Sequence, residues 1–432
     1  MPKILDQPRY KCALAAMQTV QAITKALPIL HSGPGCADKL QGNHGGSGHF
    51  APRVFPCTNL NEKDVIFGGT ERLQETIENA LKVINADMYV VLSSCSSEII
   101  GDDMEEVVRS FRDAEKPVIF ASTAGFKGNN FLGHEWVVQA IIEQYLKPPA
   151  QKTKGLVNIW ASIPQHDPFW YGNLFELERL VAQLGLIPNT IFGYDRGIKN
   201  IDKLPAAEFN LLVSPWVGLN NVKLLQEKFA TPYLHWPTLP VGASETSKFL
   251  RAVGGFAGVD KRKTENLIKE NENKYYYFIE RFADVFLETR VMSKRFVVVS
   301  DAQYSLALTK FLVNDVGLFP SKQYITDNTP PEYQEQIKSE FSNLNYGIEA
   351  EVEFLSDGYV IQDEIKNTYF TGYPLIIGSG WEKKVAQKTQ AHYLPVSWPV
   401  NERLIINSSY VGYEGGLKLL EDIYSVVLTR FN

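Results

Sequence analysis

Short β-rich runs alternate with longer amphipathic stretches along the whole chain. The candidate strands are Tyr89 to Ser93, Val118 to Ala121, Leu156 to Ala161, Leu211 to Ser214, Phe296 to Ser300, Ala350 to Phe354 and Pro374 to Ile377. Between them, apolar residues recur at helical spacing in Glu71 to Val83, Trp136 to Leu146, Leu174 to Leu184, Leu224 to Phe229, Glu265 to Phe286 and Ser305 to Val316. Strand and helix alternating in this way form βαβ units, so the pattern predicts an α/β fold of doubly wound, mostly parallel sheets. Two breaks divide it. The Pro/Lys-rich Lys147-Pro148-Pro149-Ala150-Gln151-Lys152 precedes a fresh strand, and another break precedes Lys294-Arg295-Phe296-Val297-Val298-Val299-Ser300. Three Rossmann-like units are expected, over 1–150, 151–292 and 293–432.

Composition narrows the function classes. At 432 residues the chain is too long for one core, and 44% hydrophobic with 21% charged residues describes a globular protein. The net charge is −6 and the lysines and arginines are dispersed, which argues against nucleic acid as a partner. No apolar stretch approaches a bilayer-spanning length. Gln18, Gln21 and Lys25 interrupt the segment Met1 to Leu30, so it lacks the unbroken apolar core of a secretory signal, and a cytoplasmic, reduced chain is expected. There is no Gly-x-x-x-x-Gly-Lys-Ser/Thr loop and no clean Gly-x-Gly-x-x-Gly after a strand, so ATP, if required, is hydrolysed by another chain. The glycines of Gly42-Asn43-His44-Gly45-Gly46-Ser47-Gly48-His49 join no strand to a helix and read as a surface loop.

The candidate chemistry lies in the cysteines. Cys12, Cys36, Cys57 and Cys95 are the only four, and all fall in the first 95 positions. Even scatter would produce that crowding roughly once in four hundred chains. Cys36 closes His31-Ser32-Gly33-Pro34-Gly35-Cys36, a glycine turn. Cys95 follows the apolar run Met88 to Leu92 and opens Ser96-Ser97-Glu98, a thiol at the carboxyl end of a buried strand, where open α/β sheets place their ligands. Cys12 reads as the first turn of a helix. Disulfides do not suit a reduced chain, and without a Cys-x-x-Cys pair zinc is poorly supported. Thiolates far apart in sequence, on strand ends and turns, suit an iron–sulfur cluster held between loops. The spacing alone also leaves open that these are small core hydrophobes. Cys57, in Phe55-Pro56-Cys57-Thr58, reads as structural, as do His31, His134 and His235, while Glu98, Asp102 and Asp103 read as helix-start carboxylates rather than an acid/base pair.

Taken together, His31 to Cys36, Val65-Ile66-Phe67-Gly68-Gly69, Ser94 to Asp103 and Tyr410-Val411-Gly412-Tyr413-Glu414-Gly415-Gly416 resemble the nitrogenase component 1 family from about Cys12 to about Leu428. That resemblance implies three α/β domains and α-type and β-type chains paired in an α2β2 heterotetramer. The separations, 24 residues from Cys12 to Cys36 and 59 from Cys36 to Cys95, are similar to those of the β-type chain's cluster ligands. Cys12, Cys36 and Cys95 are therefore the expected ligands of half an interface iron–sulfur cluster, of the 8Fe-7S P-cluster type or a 4Fe-4S cluster, shared with the partner. Where an α-type chain holds the active-site cofactor, Pro215 and Asn407 stand here, and neither is a donor for soft iron. The resemblance thus implies a β-type, electron-relaying subunit with no catalytic residue of its own, fed by an ATP-hydrolysing homodimeric iron protein. The α-type partner would reduce the substrate: dinitrogen, a small thioether as in methylthio-alkane reductases, or another compound. A cofactor-assembly scaffold and a tetrapyrrole-reductase-like component are the alternatives. The chain begins only eleven residues before Cys12, which points to a shorter nitrogenase-like paralogue. Gly125-Phe126-Lys127-Gly128 with Leu132-Gly133-His134 resembles the α-type segment instead. Near Gly125 the molybdenum β-type chain offers a serine oxygen to its oxidised cluster, which glycine cannot do.

Overall fold

The computed structural model describes residues 7–42, 55–111, 114–282 and 293–429. The first sheet contains β1 (Ala26–His31), β2 (Met88–Ser93) and β3 (Val118–Ala121), in that order. The second contains β4 (Thr153–Trp160), β5 (Ile187–Asn189), β6 (Ala207–Val213) and β7 (Tyr233–Trp236), ordered β5-β4-β6-β7. In the third, β8 (Arg295–Ser300), β9 (Phe319–Pro320), β10 (Gln323–Ile325), β11 (Val352–Phe354), β12 (Leu375–Gly378) and β13 (His392–Pro395) run in the order β11-β10-β8-β12-β13, with β9 beside the start of β8. Every strand pair is parallel. The fold is the expected α/β arrangement, and the parallel pairing explains why β2 reads as an unbroken apolar run: all six of its residues are buried.

Every expected strand is present, with ends shifted by up to four residues. The sequence pattern does not predict β1, because Pro28 interrupts it. A proline cannot donate to a ladder, and β1 lies at the edge of its sheet. The stretch expected as one helix over Trp136 to Leu146 is an α-helix, Asn130–Ala140, followed by a π turn, Ile141–Tyr145. The helix expected to reach Phe286 runs over Lys261–Arg281. Residues 283–286, like 43–49 of the predicted glycine-rich loop, lie outside the described residues.

The second and third sheets share one apolar core, with Val157, Leu211, Phe249, Val298, Phe311 and Ile377 all fully or nearly fully buried. Another joins the first sheet to the second through Leu14, Val90, Leu92, Val137, Trp160 and Leu225. Each such side chain contributes about 1.5–3 kcal/mol of transfer free energy, which makes the ends of the first sheet a stiff platform. Among the described residues, no helix is long and apolar enough to cross a membrane.

Candidate functional site

All three strands of the first sheet point their carboxyl ends at one place. After β1, Ser32 and Gly33 lead into the helix Pro34–Gly42, which carries Cys36 as its third residue. After β2, Ser94 caps the helix Cys95–Ile99: its Oγ accepts from the Ser97 N–H at 3.3 Å, while the Ser97 Oγ accepts from the Ser94 N–H at 2.9 Å. That reciprocal cap fixes the first residue of the helix, Cys95. After β3, the chain passes through Gly125.

Cys12 comes from outside the sheet. It is the residue before the 3-10 turn Ala13–Ala16, not the first residue of an α-helix, and it forms an antiparallel bridge with Asn129. The Lys11 N–H donates to Asn130 Oδ1 at 2.7 Å and the Asn130 N–H donates to the Lys11 carbonyl at 2.9 Å. Two backbone anchors thus hold Cys12 over the sheet end.

The sulfurs meet at Gly125. A Cβ on that residue would stand 2.6 Å from Cys12 Sγ and 3.3 Å from Cys95 Sγ, so both sulfurs crowd one face of the glycine. All four cysteines are free thiols. Although Cys12 is exposed as a residue, partial burial of its sulfur pushes its pKa up; the Leu14 N–H opposes this and a charged Cys95 adds to it. The Cys36 pKa is pushed up by burial and then by the charges of Cys12, Cys95 and Cys57. Gathered thiols that resist ionising together are what a bound cation relieves. Among the described residues, no three His, Cys, Asp or Glu side chains close on one point as a single metal ion requires. A multi-iron cluster takes its thiolates on different irons and needs no such convergence, so the donors fit that group better than zinc.

Cys57 lies beside β1, bridged to Leu30, with its sulfur 3.3 Å from Ser32 Oγ and accepting from the Asn59 N–H at 3.4 Å. His31 is fully buried: Nε2 lies 2.8 Å from Asp102 Oδ2 and Nδ1 lies 3.1 Å from Thr58 Oγ1. Burial outweighs Asp102 and lowers its pKa, keeping the ring neutral. Asp102 also accepts from the Gly69 N–H at 2.8 Å, so it ties two loops together rather than opening a helix; only Asp103 caps one, accepting from the Glu106 N–H at 2.9 Å. Burial opposes the ionisation of Glu98, yet Lys127, Ser122 and Ser93 outweigh it and hold the carboxyl below its ordinary range. The contacts of Asp102 are not legible in the sequence, since its partners are 71 and 33 residues away. Ile66, Phe67, Ile99 and Phe126 are 71%, 79%, 75% and 60% exposed; Ile99 closes the helix that Cys95 opens and Phe126 follows Gly125, so an apolar rim borders the thiols there.

Of the two positions where the resemblance would place cofactor ligands, only Pro215 lies at an enclosed site. Pro215 lines a chamber of about 20 Å³ with Trp216, Asp301 and Asp327, room for a single water. Asn407 is exposed.

His235 Nε2 contacts the Ser214 carbonyl at 2.7 Å, and His134 Nδ1 contacts Thr19 Oγ1 at 2.9 Å. His134 is buried enough that its pKa falls to about 4. Unfolded, it would titrate near 6.5, so between pH 6.5 and 4 the unfolded chain binds the extra proton and stability falls as the pH falls. The size is roughly 3 kcal/mol. Glu135, raised to about 7 by burial, slopes the other way between pH 4.5 and 7. The expected result is therefore a difference: His134→Asn flattens the acid loss relative to the parent chain in urea melts across about pH 4–7. Parallel curves would contradict it.

Comparisons with known proteins show the family and the fold. Residues 12–428 match the model of the nitrogenase component 1 type oxidoreductases. The nitrogenase molybdenum-iron protein beta chain of Clostridium pasteurianum is 24% identical over 446 aligned positions, covering 96% of this chain and 92% of its own. That of Azotobacter vinelandii is 23% identical, covering 97% and 83%. A light-independent protochlorophyllide reductase chain of Chlorella vulgaris is 27% identical over 58% of this chain and 51% of its own. Among solved structures, nitrogenase Cp1 at pH 6.5 superposes with a TM-score of 0.82 at 21% identity, covering 100% of this chain and 95% of the other.

Proposed function

The chain belongs to the nitrogenase component 1 type oxidoreductases, and we propose that it is the β-type, electron-relaying subunit of a nitrogenase-like reductase. The observation carrying this reading is the meeting of Cys12 and Cys95 at Gly125, at the sheet end from which the helix bearing the exposed Cys36 also leads off. These three cysteines would hold this chain's half of an interface iron–sulfur cluster, of the P-cluster type, which when bound supplies one-electron storage between the electron donor and the partner's active site. The chain's own part is positional. The Ser94 cap and the Asn130 straps aim the sulfurs, and Lys127 neutralises Glu98. The apolar rim offers a surface for an α-type partner and for an ATP-hydrolysing iron protein. The filled chamber at Pro215 supports leaving substrate chemistry to the partner. The likeness to the Chlorella protein favours a second reading, a tetrapyrrole-reductase-like component, which keeps the interface cluster and changes the substrate.

Three thiolates from one chain leave a multi-iron cluster short of ligands and open to water. Co-expressed with its α-type partner and purified anaerobically, the chain should carry a full iron complement in a larger assembly. Expressed alone, it should lose most of that iron. A stable, fully metallated monomer would contradict the proposal.

A further inference from the structure

The segment Gly125-Phe126-Lys127-Gly128, continued by Leu132-Gly133-His134, resembles the other subunit type in sequence, and the electron-relay role leaves it unexplained. The structure gives it one. Gly125 lies against the Cys12 sulfur from the sheet side: the added Cβ at 2.6 Å from Sγ is closer than real Cβ contacts come, and Cys95 Sγ at 3.3 Å blocks retreat in its direction. Gly133 lies against the same turn from the helix side. A Cβ there would collide with the Ala13 carbonyl oxygen, so the helix Asn130–Ala140 touches the turn Ala13–Ala16 backbone to backbone. The bridge between Cys12 and Asn129 and the paired hydrogen bonds of Lys11 and Asn130 close the strap between the two glycines.

We infer that Gly125 is a positioning residue for the thiolate pair: its missing side chain is what lets the Cys12 sulfur stand beside that of Cys95, while Gly133 seats the turn that carries Cys12. The inference rests on the cluster reading above. Any side chain at 125 must push the Cys12 sulfur outward, because the strap prevents the backbone from following. Position 125 is thereby closed to a ligand of its own, and ligation from this chain stays with the cysteines.

The test pairs Gly125→Ala with Gly35→Ala, since a Cβ on Gly35, one residue from Cys36, would meet nothing within 4 Å. In the anaerobically purified complex, Gly125→Ala is expected to lower iron per complex by about half or more and to change the electron paramagnetic resonance signal, while Gly35→Ala retains both. A metal-free readout separates misfolding from misplacement. In the full chain stripped of iron, Gly125→Ala should lower the melting temperature by a few degrees. In a Cys12→Ala background it should lower it far less, because the crowding sulfur is gone. Iron retained in Gly125→Ala, or an equal melting shift with and without the Cys12 sulfur, would overturn the inference. Iron absent from the parent complex as well would defeat the cluster reading instead, and the melting comparison would still decide the crowding.

Discussion

Substrate reduction by this chain with its α-type partner is expected to fall to background when either the iron protein or ATP is omitted, and the chain itself is expected to bind no nucleotide. Two observations motivate this. The sequence has no Gly-x-x-x-x-Gly-Lys-Ser/Thr loop, so the strand-to-helix turns lack the backbone cradle and lysine that hold a triphosphate. The chain also belongs to the nitrogenase component 1 type oxidoreductases, and the function proposed for it takes electrons from a separate, ATP-hydrolysing iron protein. Geometry adds a reason for docking near the thiols. Electron transfer falls steeply with distance, and the exposed apolar side chains Ile99 and Phe126 stand beside Cys95 and Gly125. The assay is ammonia formed from dinitrogen, or thiol formed from a methylthio-alkane, with iron protein and ATP present together and singly omitted. Nucleotide binding to the isolated complex is measured alongside it. Unchanged turnover without the iron protein, or tight ATP binding by this chain, would refute the expectation.

The fold is legible in the sequence because parallel strands are buried on both faces and therefore announce themselves as apolar runs; β2 and β8 are readable on that ground. β1 and β9 stay hidden. β1 carries Pro28, and β9 has only two residues. The candidate site divides the same way. Cys12, Cys36 and Cys95 stand out by their crowding and context, because thiols are rare and their turns carry glycine and serine signals. The surroundings do not. That His31 bonds Asp102 and Asp102 bonds the Gly69 N–H depends on loops brought together only by the finished sheet. Gly125 is legible as an anomaly in the sequence, a glycine where a donor is expected, and only its distance to the Cys12 sulfur turns that anomaly into a positional role.

Cys12→Ala, Cys36→Ala and Cys95→Ala are each expected to cost the complex about half or more of its iron, whereas Cys57→Ala leaves the content unchanged. The distinction is physical. Cys12 and Cys95 crowd Gly125, and the exposed Cys36 is carried by the helix that leads off the same sheet end. Cys57 spends its sulfur on Ser32 and the Asn59 N–H within its own turn. Losing even an outer-shell partner typically weakens metal retention roughly 10–100-fold, and losing a ligand should do at least as much. Iron content and electron paramagnetic resonance of the four anaerobically purified variant complexes, beside the parent, test the central claim most directly. The account predicts depleted iron and an altered signal for the first three and a parental result for Cys57→Ala; full iron in all of Cys12→Ala, Cys36→Ala and Cys95→Ala would contradict it.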